Sequence, residues 1–202
     1  MIMKGKRFWV LLLLTAVMLV AAACGTVSTE QAASYSDDVA AVNTEEIPEG
    51  QPQPIDGEDE NRNIDESKEG TCILEVECAT ILDHMESLPK EKQSLVPEDG
   101  VIFAKQEVPF YEGETVFDVL KREMIDNKIH LEFSWTPLYD SNYVEGIANL
   151  YEFDCGSLSG WTYCVNDWFP NYGASRYLVS EGDVISWHYT CDLGKDVGSD
   201  ME

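Results

Sequence analysis

Between residues 71 and 80 apolar and acidic side chains alternate, with Cys72, Leu74, Val76 and Cys78 on one face and Glu75 and Glu77 on the other. That period of two predicts a strand with one buried side. Two short strands are predicted at 101–104 and 107–111, and Pro109, which has no N–H to donate, places the second at a sheet edge or near its end. The period changes at Thr115. Thr115 can cap a helix with Asp118 three residues on, Val116, Phe117, Val119, Leu120 and Met124 form an apolar stripe at helical spacing, and Asn127 stops it. Further strands are predicted at 130–135, 143–147, 150–153, 161–166, 176–179 and 184–191, with a helical turn near 90–95. Several strands and one covering helix predict an α+β domain over residues 71–202.

The N-terminal third has neither period. Residues 1–23 run from a basic start (Lys4, Lys6, Arg7) through an apolar stretch to Ala21, Ala22 and Ala23, followed by Cys24. This is the order of a secretory signal. Small residues immediately before a Cys resemble the lipobox of bacterial lipoproteins, which implies acylation of Cys24, palmitate-like chains in the membrane, and a protein held on the outer face of the cell. Residues 24–70 then carry thirteen acidic side chains against Arg62 and Lys68, with almost no aromatics. Such a composition buries too little apolar surface to offset its ordering entropy, so a disordered, self-repelling acidic tether is expected.

Charge narrows the partners. The formal net charge is −25, and it becomes −28 once the three basic residues of the signal leave. Nucleic acid and anionic lipid surfaces both require positive patches, so neither is expected as a partner. Catalysis and metal binding have little to stand on. His84, His130 and His188 are scattered, no C-x-x-C pair occurs, and Ser157 and Ser159 lack the setting of a nucleophile elbow. A Cys164–His188 pair is the remaining nucleophilic arrangement, and the sequence offers it no orienting third group. The acidic stretch 192–196, with Asp200 beyond, shows no loop of graded oxygen ligands for calcium.

Three stretches occur in a recognisable combination: YEGETVFDVL at 111–120, SGWTYCVN at 159–166 and EGDVISWHY at 181–189. Together they resemble the transcobalamin-like C-terminal domain of secreted bacterial proteins. The resemblance implies a β-grasp-like fold, a mixed sheet packed on one helix, and it raises a corrinoid such as cobalamin as a ligand. Gly160, Trp161, Tyr163, Asn166, Gly182, Asp183, Trp187 and Tyr189 match the recurrent motif and read mainly as turn and core residues.

Candidate contacts lie in the loop after 161–166, where Asn166, Trp168, Phe169, Asn171 and Tyr172 put aromatic rings beside amides. The expected function is therefore a surface-anchored binding lipoprotein, not an enzyme, taking a small corrinoid-like ligand. The alternative is a protein-interaction or adhesion module meeting another surface protein or a wall polymer.

With Cys24 lipidated, five thiols remain. Cys72 and Cys78 stand six residues apart on one strand, roughly 20 Å, which is too far for a bridge. Cys164, opposite Trp161 and Tyr163, is expected to stay unpaired. The parallel first and last strands implied by the resemblance would bring Cys78 toward Cys191, and Cys155–Cys191 is the competing pairing.

Overall fold

A computed structural model describes residues 46–57 and 62–199. The signal segment 1–23, Cys24, the first part of the acidic tether and Asp200 lie outside the described residues.

Strand β1 (Asp65–Glu77) begins six residues before the boundary that alternation suggests, and it alternates as expected. Cys72, Leu74 and Val76 are fully buried. The two short strands expected next are one continuous β2 (Val101–Glu112), whose antiparallel ladder with β1 absorbs an irregularity between Leu74 and Val76. Helix α1 (Val116–Asp126) follows. Its start is fixed reciprocally: the Asp118 N–H donates to Thr115 Oγ1 at 3.3 Å and the Thr115 N–H donates to Asp118 Oδ2 at 2.9 Å. This is a capping box with Asp in the position more often held by Glu.

The remaining strands are β3 (Leu131–Thr136), β4 (Ser141–Ile147), β5 (Leu150–Tyr151), β6 (Gly160–Val165) and β7 (Val184–Thr190). They divide between two sheets. One has the order β2-β1-β7-β6 and the other β3-β4-β5. In the larger sheet β1 and β7 pair in parallel, Ile73 opposite Val184 through Glu77 opposite His188, and both outer pairs are antiparallel. The domain is thus α+β and β-grasp-like, with first and last strands side by side and one helix closing the core. The strand expected at 176–179 is absent: Ala174–Arg176 forms a 3-10 turn, and only Leu178 bridges, to Thr115.

Residues 46–57, assigned by composition to the tether, lie against the domain. The Tyr172 hydroxyl donates to the Pro52 carbonyl at 2.8 Å, Arg176 Nε donates to the Ile55 carbonyl at 2.8 Å, and the Gly57 N–H donates to Asp140 Oδ2 at 3.0 Å. Composition misses this docking because on the 46–57 side it uses backbone carbonyls and an N–H, which every sequence has.

Behind the capping box, Glu114 is buried. It accepts the Tyr111 N–H at 2.9 Å and faces Arg122 at 3.3 Å. Burial outweighs both partners and raises its carboxyl above the ordinary 4.5. Its folded value exceeds the unfolded one, so the native state binds this proton more tightly. The contribution favouring the fold is complete below 4.5 and is lost as pH rises through the raised folded value. Glu114→Gln keeps the acceptor and removes the charge. Thermal melts of the full chain should show a gain of ~2 °C at pH 7.5 that vanishes at pH 4, and an equal gain at both pH values would exclude this origin.

Candidate functional site

The chain reverses at once after β6. Asn166 and Asp167 both take positive φ (53° and 64°), and Val165 and Trp168 exchange backbone hydrogen bonds at 2.9 and 3.0 Å, which makes a two-residue hairpin turn of type I′. Asn166 locks this turn. Its Nδ2 donates to Asp183 Oδ1 and its Oδ1 accepts the Val184 N–H, each at 2.9 Å, while Asp183 Oδ2 accepts the Ser180 N–H at 2.8 Å. Asn166 therefore holds the end of β6 to the start of β7.

The reversal separates the loop aromatics. Trp168, half-buried, packs edge-on to Tyr172 at 6.0 Å and near Tyr177 at 6.4 Å. Phe169 lies beside the His188 ring at 6.1 Å. Asn171 and Tyr172 line a cavity of about 280 Å³ between β4 and the edge strand β6, whose walls include Tyr139, Tyr143, Trp161 and Tyr163. Of the five loop residues singled out from sequence, the fold brings Asn171 and Tyr172 to this cavity and places Asn166, Trp168 and Phe169 elsewhere. Tyr139 and Tyr143 were missed, because their approach depends on a second sheet that alternation alone does not separate from the first.

The cavity walls are fixed in position. Trp161 Nε1 donates to the Leu150 carbonyl at 2.8 Å, the Tyr163 hydroxyl donates to the Tyr172 carbonyl at 2.8 Å, and the Tyr143 hydroxyl donates to Glu152 Oε2 at 2.6 Å. Gly173 is a steric requirement, since a Cβ there would stand 2.1 Å from Ser141 Oγ. A second cavity of about 340 Å³ shares Tyr143, Trp161 and Thr162 with the first and continues toward Phe153, Leu158 and Leu193. Those three are exposed by 62%, 44% and 61%. Among the described residues, no charged one lines either cavity.

On the opposite face of β6 the third group absent from the sequence reading is present. Cys164 Sγ lies 3.6 Å from His188 Nε2, and His188 Nδ1 lies 2.6 Å from Glu77 Oε1. A carboxylate only accepts, so Glu77 holds the proton on Nδ1 and turns the Nε2 lone pair toward the thiol. Glu77 is invisible in sequence because only the β1–β7 register sets it opposite His188. Cys164 is 5% exposed, and burial, with the Asp167 charge adding, pushes its thiol up to about 11. It is protonated near neutrality and poorly placed for attack. Among the described residues no group of three or more His, Cys, Asp or Glu is gathered for a metal ion.

Residues 113–191 match the Domain of unknown function (DUF4430). The match opens at the glycine before the capped helix and closes at Cys191, so it takes in α1, the residues lining the first cavity and β7. No curated protein matches the chain. Among solved structures the chain is similar to haptocorrin in complex with Cbi, at 13% identity and a TM-score of 0.46 over 65% of this chain. It spans 27% of the haptocorrin chain. It is also similar to a protein from Ruminococcus gnavus ATCC 29149 described only provisionally as metal binding, at 14% identity and a TM-score of 0.37, covering 60% of this chain and 96% of that one.

The Cys164 arrangement makes a measurable claim. Alkylation of the folded chain by iodoacetamide, followed by peptide mass mapping, should modify Cys164 at least tenfold more slowly at pH 7.5 than in denaturant, with the rate rising through pH 10. Rapid labelling of native Cys164 at pH 7.5 would mean an activated thiol.

Proposed function

We propose that this chain is a non-catalytic extracellular binding lipoprotein, held through acylated Cys24 on the outer face of the membrane, whose aromatic cavity takes a small ring-bearing molecule. The observation that carries this reading is the contrast in charge. In a chain of net charge −25, the described residues that line two adjoining cavities offer aromatic, amide, hydroxyl and aliphatic groups with no charge among them. A neutral ligand with a flat apolar face would stack there and meet a few hydrogen-bonding groups at its edge.

A corrinoid is the specific ligand proposed, on the resemblance to the transcobalamin-like domain. Size refines the proposal. Ordinary ligand pockets run from roughly 300 to 1,000 Å³, so about 280 Å³ encloses one part of such a molecule, with the remainder lying over Tyr143 toward the second cavity. The exposed apolar rim of Phe153, Leu158 and Leu193 favours a second reading, a surface protein docking on the same side.

Calorimetric titration of the full chain with cobalamin and with its lower-ligand-free precursor tests the first reading. Saturable binding at micromolar concentration is expected, weakened at least tenfold by Tyr143→Ala with the melting temperature held within a few degrees. No heat with either corrinoid removes that ligand class, and surface crosslinking lost on Phe153→Ser would then carry the second reading. Anchoring has its own test. Cys24→Ser should move the protein from the membrane fraction to the medium, and retention of the variant in the membrane would overturn the lipid anchor.

A further inference from the structure

The cysteines outside the Cys164 arrangement are placed unequally. Cys72 and Cys78 are wholly buried on the core face. Cys155 and Cys191 are brought together by the β6–β7 pairing: Gly160 stands opposite Thr190, the Tyr189 hydroxyl donates to Ser159 Oγ at 3.0 Å, and the same Oγ accepts the Cys155 N–H at 3.0 Å. Cys155 sits in the turn after β5, its backbone N–H bound to Ser159 Oγ at 3.0 Å and its thiol 3.5 Å from the His84 carbonyl. Cys191 immediately follows β7, with its N–H held by Asp196 Oδ2 at 2.7 Å and its thiol 3.9 Å from Thr80 Oγ1. Both thiols are thus directed by backbone that is already fixed. The chain leaves β1 at Glu77, and the Cys78 N–H donates to the Gly100 carbonyl at 2.7 Å at the start of a 3-10 turn. Cys155 is thus the cysteine that these contacts bring to Cys191.

Residues close in sequence to each of these two cysteines line the second cavity. Ser157, Leu158 and Ser159 form one wall just after Cys155, and Thr190, Leu193 and Gly194 form the facing wall around Cys191. One backbone bond, the Leu193 N–H donating to the Leu158 carbonyl at 2.9 Å, already joins the walls.

We propose that Cys155 and Cys191 are a disulfide-forming pair, a covalent latch across the second cavity set by exchange with a small disulfide outside the cell. Cys191 is half-buried and Cys155 nearly fully buried, so Cys191 is the thiol that meets the oxidant. Its thiolate attacks one sulfur of the external disulfide, forms a mixed disulfide and expels one thiol. The Cys155 thiolate then attacks Cys191 Sγ and expels the second. One S–S bond breaks and one forms; the protein loses two protons and two electrons, and the oxidant becomes two thiols. Burial first, with the neighbouring thiol adding, pushes Cys191 up to about 12, so the exchange accelerates as pH rises. The closed loop contains β6, the aromatic loop and β7, which is most of the first cavity as well.

The test uses the full chain, reduced and then incubated with oxidised glutathione at pH 8.5, acid-quenched, alkylated in denaturant and mapped by peptide mass. A peptide linked through Cys155 and Cys191 is expected, with Cys72, Cys78 and Cys164 alkylated, together with a rise on the order of 10 °C in melting temperature that dithiothreitol reverses. Cys155→Ser should trap glutathione stably on Cys191 and show no such rise. Should that variant fail to fold, Cys191→Ser, with Cys155 left unmodified, serves in its place. A linked peptide containing Cys78, persistent glutathione on Cys191 of the unmutated chain, or full alkylation of both cysteines after oxidant would each overturn the proposal.

Discussion

Pairing β1 with β7 joins two segments more than a hundred residues apart in the chain, and every other element takes its place from that ladder. It is the parallel pair at the centre of the larger sheet, with β2 hanging on one side and β6 on the other. The residues it buries, Leu74 and Val76 from one strand and Ile185 and Tyr189 from the other, are inaccessible to solvent. Closing so long a loop costs entropy before its contacts reward it, so this ladder must be strongly favoured by what it buries. Its register also sets the finer chemistry. Glu77 meets His188, Thr80 reaches the carbonyl of Tyr189, and Cys191 is delivered to the turn that carries Cys155.

Charge is segregated as sharply as hydrophobicity. The strongly acidic chain repels itself at neutral pH, and that repulsion works against compaction. Two of the buried acids share Arg122, which reaches the carboxylates of Glu114 and Glu123 and the carbonyl of Pro109. Lys92 does the same for Asp154 at 2.6 Å, at the root of the turn that positions Cys155. The cavity walls stay free of charge because the strands lining them expose aromatic rows there and carry their carboxylates elsewhere.

How much of this the sequence discloses depends on whether a feature is local. The helix is legible because its cap, stripe and stop lie within a dozen residues, and β1 because alternation survives along its core-facing half. The expected strand at 176–179 fails because Arg176 closes a 3-10 turn whose polar groups are drawn to Ile55 and Asp140, partners distant in sequence. The aromatic loop was recognised as a loop, but the two left-handed residues at its start decide which rings go where, and Asn-Asp signals that turn less strongly than Asn-Gly. Tyr139 and Tyr143 needed the second sheet, and Glu77 needed the parallel register. Both are long-range properties.

The docking of residues 46–57 changes how the domain meets force. Among the hydrogen bonds of this segment to the domain, a pull from the N-terminal side, past Ile47 packed on the core, reaches Pro52–Tyr172 first, then Ile55 with Arg176, then Gly57 with Asp140, all before β1. Contacts loaded in this order yield one after another, like a peeled seam, instead of sharing the load. The first of them to part is made by a tyrosine whose ring forms a wall of the aromatic cavity. Tension along the chain is therefore transmitted to that wall while the sheet behind it remains unstretched.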